Sequence, residues 1–188
     1  MSSTPGGDNV ETVATDVVAV VPYDSAWPRR FELERTLLEQ ALAPWLEGGI
    51  HHVGSTAVRG LAAKPIIDIM AGVRDLDEAG EAFQALRALS YVYTPHRPSI
   101  AHHFSKSSAR LDEVTHGLHL TQPGSDLWRE RLAFRDALRS DPDLARKYEE
   151  LKLRLSQEHQ NDIEGYTAAK RDFVGRILAA AGLGFGRR

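Results

Sequence analysis

Between residues 51 and 73 the chain reads HHVGSTAVRGLAAKPIIDIMAGV, and several side chains in that stretch are equipped for chemistry. Gly54-Ser55-Thr56 follows a short apolar run. Small residues there let a ligand approach the backbone, and free N–H groups with the Ser55 and Thr56 hydroxyls can hold phosphate oxygens, although the same triplet also makes an ordinary turn. Lys64-Pro65 offers a cation where a strand begins, and a surface lysine fits the same pattern. Asp68 lies inside Ile66-Ile67-Asp68-Ile69-Met70. Strand alternation places Ile66, Asp68 and Met70 on one face and Ile67 and Ile69 on the other. An ionised carboxylate on an inner strand is costly unless it meets a metal ion, a cation or several donors, so Asp68 requires a partner. That partner is a ligand or catalytic group in one reading and a structural ion pair or helix cap in the other. Farther on, Arg135 and Asp136, with Arg139 one turn later, present either a fork for phosphate or carboxylate or a helical network of ion pairs.

These residues depend on the elements around them. Val17 to Val21 is a β-branched run closed by Pro22, and residues 27–43 place Phe31, Leu33, Leu37, Leu38 and Leu42 at helical spacing before Pro44. Ile50 to Val53 reads as a short strand, Ile66 to Met70 as a buried one, and Leu76, Ala79, Phe83, Leu86 and Leu89 share a helical face. Residues 91–94, 102–106 and 114–120 read as three more strands between Pro- and Ser-rich turns. From Ser125 onward only helical patterns occur. Leu127, Arg131, Phe134 and Leu138 share a face, Asp141-Pro142 is an N-cap followed by Pro at the first helical position, and Leu144, Tyr148, Leu151 and Leu155 continue a stripe. Tyr166, Phe173, Ile177 and Leu178 form another, ended by Gly182. The expectation is an α/β (α+β) core over 17–124, a three-helix section over 125–181, and tails at 1–16 and 182–188.

Composition narrows the function. The 188 residues carry 23 Lys and Arg against 26 Asp and Glu, so no basic field gathers nucleic acid or an anionic membrane. The absence of cysteine excludes disulfides, thiolate metal sites and cysteine nucleophiles. No stretch reaches the ~18 apolar residues of a membrane span, and the first 16 residues lack the basic start and apolar core of a signal peptide, which leads to the expectation of a soluble, cytoplasmic protein. The sequence leaves a homodimer open.

The run His52-Val53-Gly54-Ser55-Thr56-Ala57-Val58, with Gly60-Leu61 and Ala63-Lys64-Pro65-Ile66-Ile67-Asp68-Ile69, resembles the signature of the GrpB family, whose members have a nucleotidyltransferase-like fold. The likeness continues through Tyr23, Trp27, Trp128, Phe134-Arg135-Asp136, Leu138-Arg139, Tyr148, Lys152, Tyr166, Lys170 and Phe173, and covers residues 17–180. It implies a mixed sheet with flanking helices, a Gly54-Ser55 turn that contacts nucleotide phosphates, and an Asp-x-Asp pair that binds magnesium. The pair is incomplete, because Asp68 takes its second position and Ile66 its first. The family resembles a His-x-His pattern at 117–119, where Gly117 stands at the first position and His119 at the second. His119 then becomes a metal ligand or base beside Asp68, or a hydrogen-bonded core residue. Lys106, with His103 on the same strand, faces phosphate or solvent.

What the resemblance implies is an enzyme that transfers a nucleotidyl or phosphoryl group from ATP or another nucleoside triphosphate to a small-molecule substrate. Its expected site has Asp68, His119 and Lys64 as catalytic groups, Gly54, Ser55, Thr56, Lys106 and Arg135 against the nucleotide, and Asp68 with His119 on one Mg2+ ion. Two alternatives stand beside it. One is a nucleotide-dependent ligase that forms an amide or ester in a biosynthetic pathway. The other is a non-catalytic module that binds a nucleotide or a coenzyme-A-like ligand.

Overall fold

A computed structural model describes residues 19–108 and 113–184. The first helix, α1 (Trp27–Leu42), has Pro in its first turn and buries Trp27, Phe31, Glu34, Leu38 and Leu42. The spacing of these residues follows one stripe of a 3.6-residue repeat, so α1 lies along the sheet with one face covered. Next come β1 (Leu46–Val53), a 3-10 turn at Ser55–Ala57, and β2 (Ile67–Val73). A second 3-10 turn at Glu78–Ala82 runs into α2 (Phe83–Ala88), followed by β3 (Val92–Tyr93), β4 (His102–Ser107) and β5 (Val114–Thr121).

The five strands form one mixed sheet in the order β1-β2-β5-β4-β3. Strand β2 runs antiparallel to β1 and parallel to β5, with Asp68 opposite Gly117 and Met70 opposite His119. Because the side-chain period is two residues, this register sorts the sheet into two unlike faces. Ile67, Ile69, Ala71, Leu118, Leu120 and Phe104 pack with α1 and α2 in the main core. Asp68, Met70, Gly117, His119, His103 and Ser105 fall on the other face.

The C-terminal section contains four helices, α3 (Asp126–Ser140), α4 (Pro142–Glu158), α5 (Ile163–Ala169) and α6 (Arg171–Ala180). This corrects the expected three. The last apolar stripe is divided at Lys170, where no Gly or Pro marks the joint. The Asp141 carboxylate does accept from Leu144 N at 2.9 Å as an N-cap of α4. A second core joins the section to the loop after β1, with Val58 and Leu61 packed among Leu138, Tyr148 and Ile177.

Two strands differ from expectation. Strand β1 starts at Leu46 rather than Ile50, across a register shift that includes Gly48 and Gly49 at φ of 75° and 83°. The Gly-Gly pair hides this extension, since glycine carries no strand signal. Of the run 17–21, Val21 makes a single bridge to Ala63, and residues 17 and 18 lie outside the described residues. No described helix is long and apolar enough to cross a membrane.

Candidate functional site

The site begins where β1 ends. Gly54 has φ of 69°, and a Cβ at this position would collide with Asp68 Oδ2. A Cβ on Gly117 would stand 3.2 Å from Oδ1 of the same carboxylate. The carboxylate is therefore lodged between two strands at positions that exclude or crowd any side chain, and Gly54 serves close approach as well as the turn.

Beyond Gly54 the turn is held from beneath. Thr56, almost fully buried, donates its hydroxyl to Ile66 O at 3.0 Å, and His52 Nε2 lies 3.0 Å from the Thr56 Oγ1. A hydroxyl has one proton to give, so Thr56 accepts from His52, whose imidazole is neutral with the proton on Nε2. Burial, with Arg139 and Arg135 nearby, lowers the His52 pKa to about 4. Phe31 stacks on that ring at 4.7 Å. From α3, Arg139 forks onto Ala57 O at 3.0 and 2.8 Å. Arg135 donates to His52 O at 3.2 Å and pairs with Asp136 at 2.7 Å. Thr56 and Arg135, both expected against the nucleotide, thus spend their polar groups on the backbone that shapes the turn or on a neighbouring side chain.

Asp68 is different. Among the described residues it has no hydrogen bond or ion pair, and burial raises its pKa against the opposing pull of Arg131, Lys170 and Lys64. Two cavities, of about 330 and 130 Å3, meet along this carboxylate. Ser55, Asp68 and Lys170 line both. The larger is closed by Arg131, Phe134, Tyr148 and Arg171, the smaller by Lys64, Ile66, Lys152 and Tyr166. Burial lowers the Lys170 pKa to about 8, with Asp68 working against it and Lys64 and Arg131 adding to it. Lys170 also lies over the Tyr166 ring at 3.9 Å. Lys152 is 2% exposed, donates to Ala62 O, and is lowered to about 7 by burial first and Lys170 second.

The structure thus brings Gly54, Ser55, Lys64 and Asp68 together and places Lys106 elsewhere. Lys106 projects from the opposite face of the sheet, where its Nζ contacts both oxygens of Glu34 on α1 at 2.9 and 3.0 Å. His119 shares the Asp68 face one pleat along β5, its ring 4.5 Å from that of His103. Its Nδ1 is buried and has no partner among the described residues. Burial first, then Arg131 and His103, keep its pKa well below the ordinary value. Arg131 and Lys170 are the residues that sequence reasoning did not assign to the site. The signal was present for Arg131, a cation inside the apolar stripe Leu127, Phe134, Leu138, which is the same anomaly that exposed Asp68.

The magnesium pair implied by the resemblance does not fit these residues. Ile66 makes the wall of the smaller cavity apolar where a first carboxylate would stand, and three cations press on Asp68. Among the described residues no group of three or more His, Cys, Asp or Glu is placed to hold a metal ion, so Asp68 and His119 have no third such residue beside them. Magnesium requires a nearly octahedral oxygen shell, which one carboxylate among ammonium and guanidinium groups does not begin to supply.

A mixed sheet with a Gly-Ser turn after its edge strand and a lone carboxylate on the next strand, roofed by helices, is a nucleotidyltransferase-like architecture. Terminal uridylyl transferase 4 from Trypanosoma brucei, solved with bound dUTP, superposes with a TM-score of 0.54 over 87% of this chain and 57% of its own, at 13% identity, so the fold is shared. The family model described as GrpB protein matches residues 17–180, and the chain belongs to the GrpB family. The glutamate-rich protein GrpB of Alkalihalophilus pseudofirmus is 34% identical over 86% of this chain and 94% of its own length. The crystal structure of conserved protein GrpB from Enterococcus faecalis superposes with a TM-score of 0.79 at 32% identity, covering 87% of this chain and 96% of that one.

Proposed function

We propose that the cleft binds the phosphates of a nucleoside triphosphate, ATP or a relative, and transfers a nucleotidyl or phosphoryl group to a small-molecule acceptor. The observation that carries this reading is the unpaired Asp68 carboxylate facing a cavity that it shares with Ser55, Arg131 and Lys170. Phosphate oxygens dock on the Ser55 hydroxyl and the Lys64 and Lys170 ammonium groups. An acceptor hydroxyl lies against Asp68. Its oxygen attacks phosphorus, the bond from phosphorus to the bridging oxygen breaks, the proton passes to the Asp68 carboxylate, and the leaving group, nucleoside diphosphate in phosphoryl transfer or pyrophosphate in nucleotidyl transfer, departs with its charge matched by Arg131 and Lys170. Positioning and preorganised charge supply most of the acceleration in such a step. A carboxylate raised in pKa by burial is the better proton acceptor near neutral pH.

The test is product analysis with labelled ATP and a panel of small acceptors, comparing the wild-type chain with Asp68→Asn. Loss of the base lowers turnover by about 100-fold or more. Turnover undiminished in the variant removes this mechanism. Pyrophosphate release accompanied by an amide or ester, with no stable nucleotidylated acceptor, assigns the cleft to ligation instead.

A further inference from the structure

The cations around Asp68 outnumber the carboxylates by more than the fold requires. The two adjoining cavities are lined by Lys64, Arg131, Lys152, Lys170 and Arg171 against Asp68 and Glu130, a surplus of three positive charges when every lysine is protonated. Among the described residues Lys64, Arg131, Lys170 and Arg171 make no ion pair, and each belongs to a different segment: the loop before β2, α3, the joint of α5 and α6, and the first turn of α6. Like charges gathered from four segments around one cavity repel, and for Lys170 burial, the larger cause, is joined by repulsion from Lys64 and Arg131 in lowering its pKa. Such a cluster is relieved by an anionic guest. A triphosphate carries ~4 negative charges near neutral pH. The side chains nearly match that charge, whereas two divalent ions added to them would exceed it. Ile66 and the lack, among the described residues, of any group of three metal-ligating side chains point the same way.

We propose that Lys64, Lys170 and Arg131 take the place of divalent cations in this cleft, so that it binds a polyphosphate chain without a metal ion. The proposal rests on the functional reading above for the identity of the guest, and it concerns binding, so it stands or falls apart from turnover. Lys170 and Arg131 hold the oxygens in the larger cavity, Lys64 those in the smaller one, the Ser55 hydroxyl reaches either, and Asp68 repels the chain. Asp68 thereby stays free to take a proton, which a metal-bound carboxylate could not do.

Isothermal titration of the full chain with inorganic tripolyphosphate and with ATP, in excess EDTA and again in magnesium, tests this. Affinity for tripolyphosphate in EDTA stays within roughly threefold of that in magnesium. Lys170→Ala and Arg131→Ala each weaken it by about tenfold or more, and Lys170→Arg restores most of the loss. Asp68→Asn tightens binding in EDTA, because it deletes a negative charge that faces the guest; Asn leaves the fold intact because the site gives up only an unpaired charge. Binding that requires magnesium and is weakened by Asp68→Asn would overturn the proposal while leaving group transfer standing, as would the absence of tripolyphosphate binding in both buffers. Metal-independent binding with no turnover on any acceptor sinks the transfer reading and leaves the clamp.

Discussion

Two carboxylates occupy opposite faces of one sheet, and they are treated in opposite ways. Glu34 comes from α1 onto the oily face, 6% exposed, and meets Lys106 in contacts of 2.9 and 3.0 Å with His116 at 4.0 Å. It is a closed pair, complete without any ligand. Asp68 has three cations in its field and none in its grasp, and a cavity where a partner could be. A paired buried charge reports on folding, whereas an unpaired charge at the edge of a cavity reports on function. From sequence alone Lys106 and Lys64 were both candidates for phosphate. Strand parity turns Lys106 to the oily face, whereas Lys64 lies in the loop before β2 and lines the smaller cavity.

The contrast can be broken by substitution. Glu34→Gln has the largest expected effect on stability: it strands Lys106 in a largely buried setting and lowers unfolding free energy by about 3 kcal/mol, read as a shift in urea midpoint at constant slope. A loss below about 0.5 kcal/mol would show that the pair is no tighter than a surface one. Asp68→Asn has the opposite sign. The raised pKa means that, above the ordinary carboxylate value, the folded state holds a proton the unfolded state has lost, so stability falls as pH rises through that window and the full penalty persists at neutral pH. Removing the charge raises neutral-pH stability by about 1 kcal/mol, and the gain over wild type vanishes in acid; a destabilised variant would mean that Asp68 is a structural partner after all. The smallest effect on ligand affinity belongs to Lys106→Gln, which destabilises the fold by stranding Glu34 but leaves tripolyphosphate affinity of the folded chain within about twofold, since its side chain faces away from the cleft. A tenfold loss would transfer Lys106 to the ligand's side.

Much of this architecture was legible in the residues, and the parts that were not have physical reasons. Alternation around Asp68 gave the face it occupies, because period two is fixed by the strand backbone. Helix α1 and the Asp141-Pro142 cap of α4 were equally plain, being written in local spacing and local hydrogen bonding. The split at Lys170 was not, because neither residue beside it breaks helices by itself. The partners of Thr56, Arg135 and Arg139 were not legible, because a hydroxyl or guanidinium has the same appearance in sequence whether its acceptor is a phosphate or a carbonyl. Their carbonyls, Ile66, His52 and Ala57, become neighbours only after β1, β2 and α3 have assembled.

The joint between α5 and α6 has a wider meaning. An ammonium mounted at the meeting point of two short helices can be advanced, withdrawn or exchanged by changes in the last quarter of the chain, while the turn, the carboxylate and the oily layer stay as they are. A change at that joint moves the charge without rebuilding the floor beneath it.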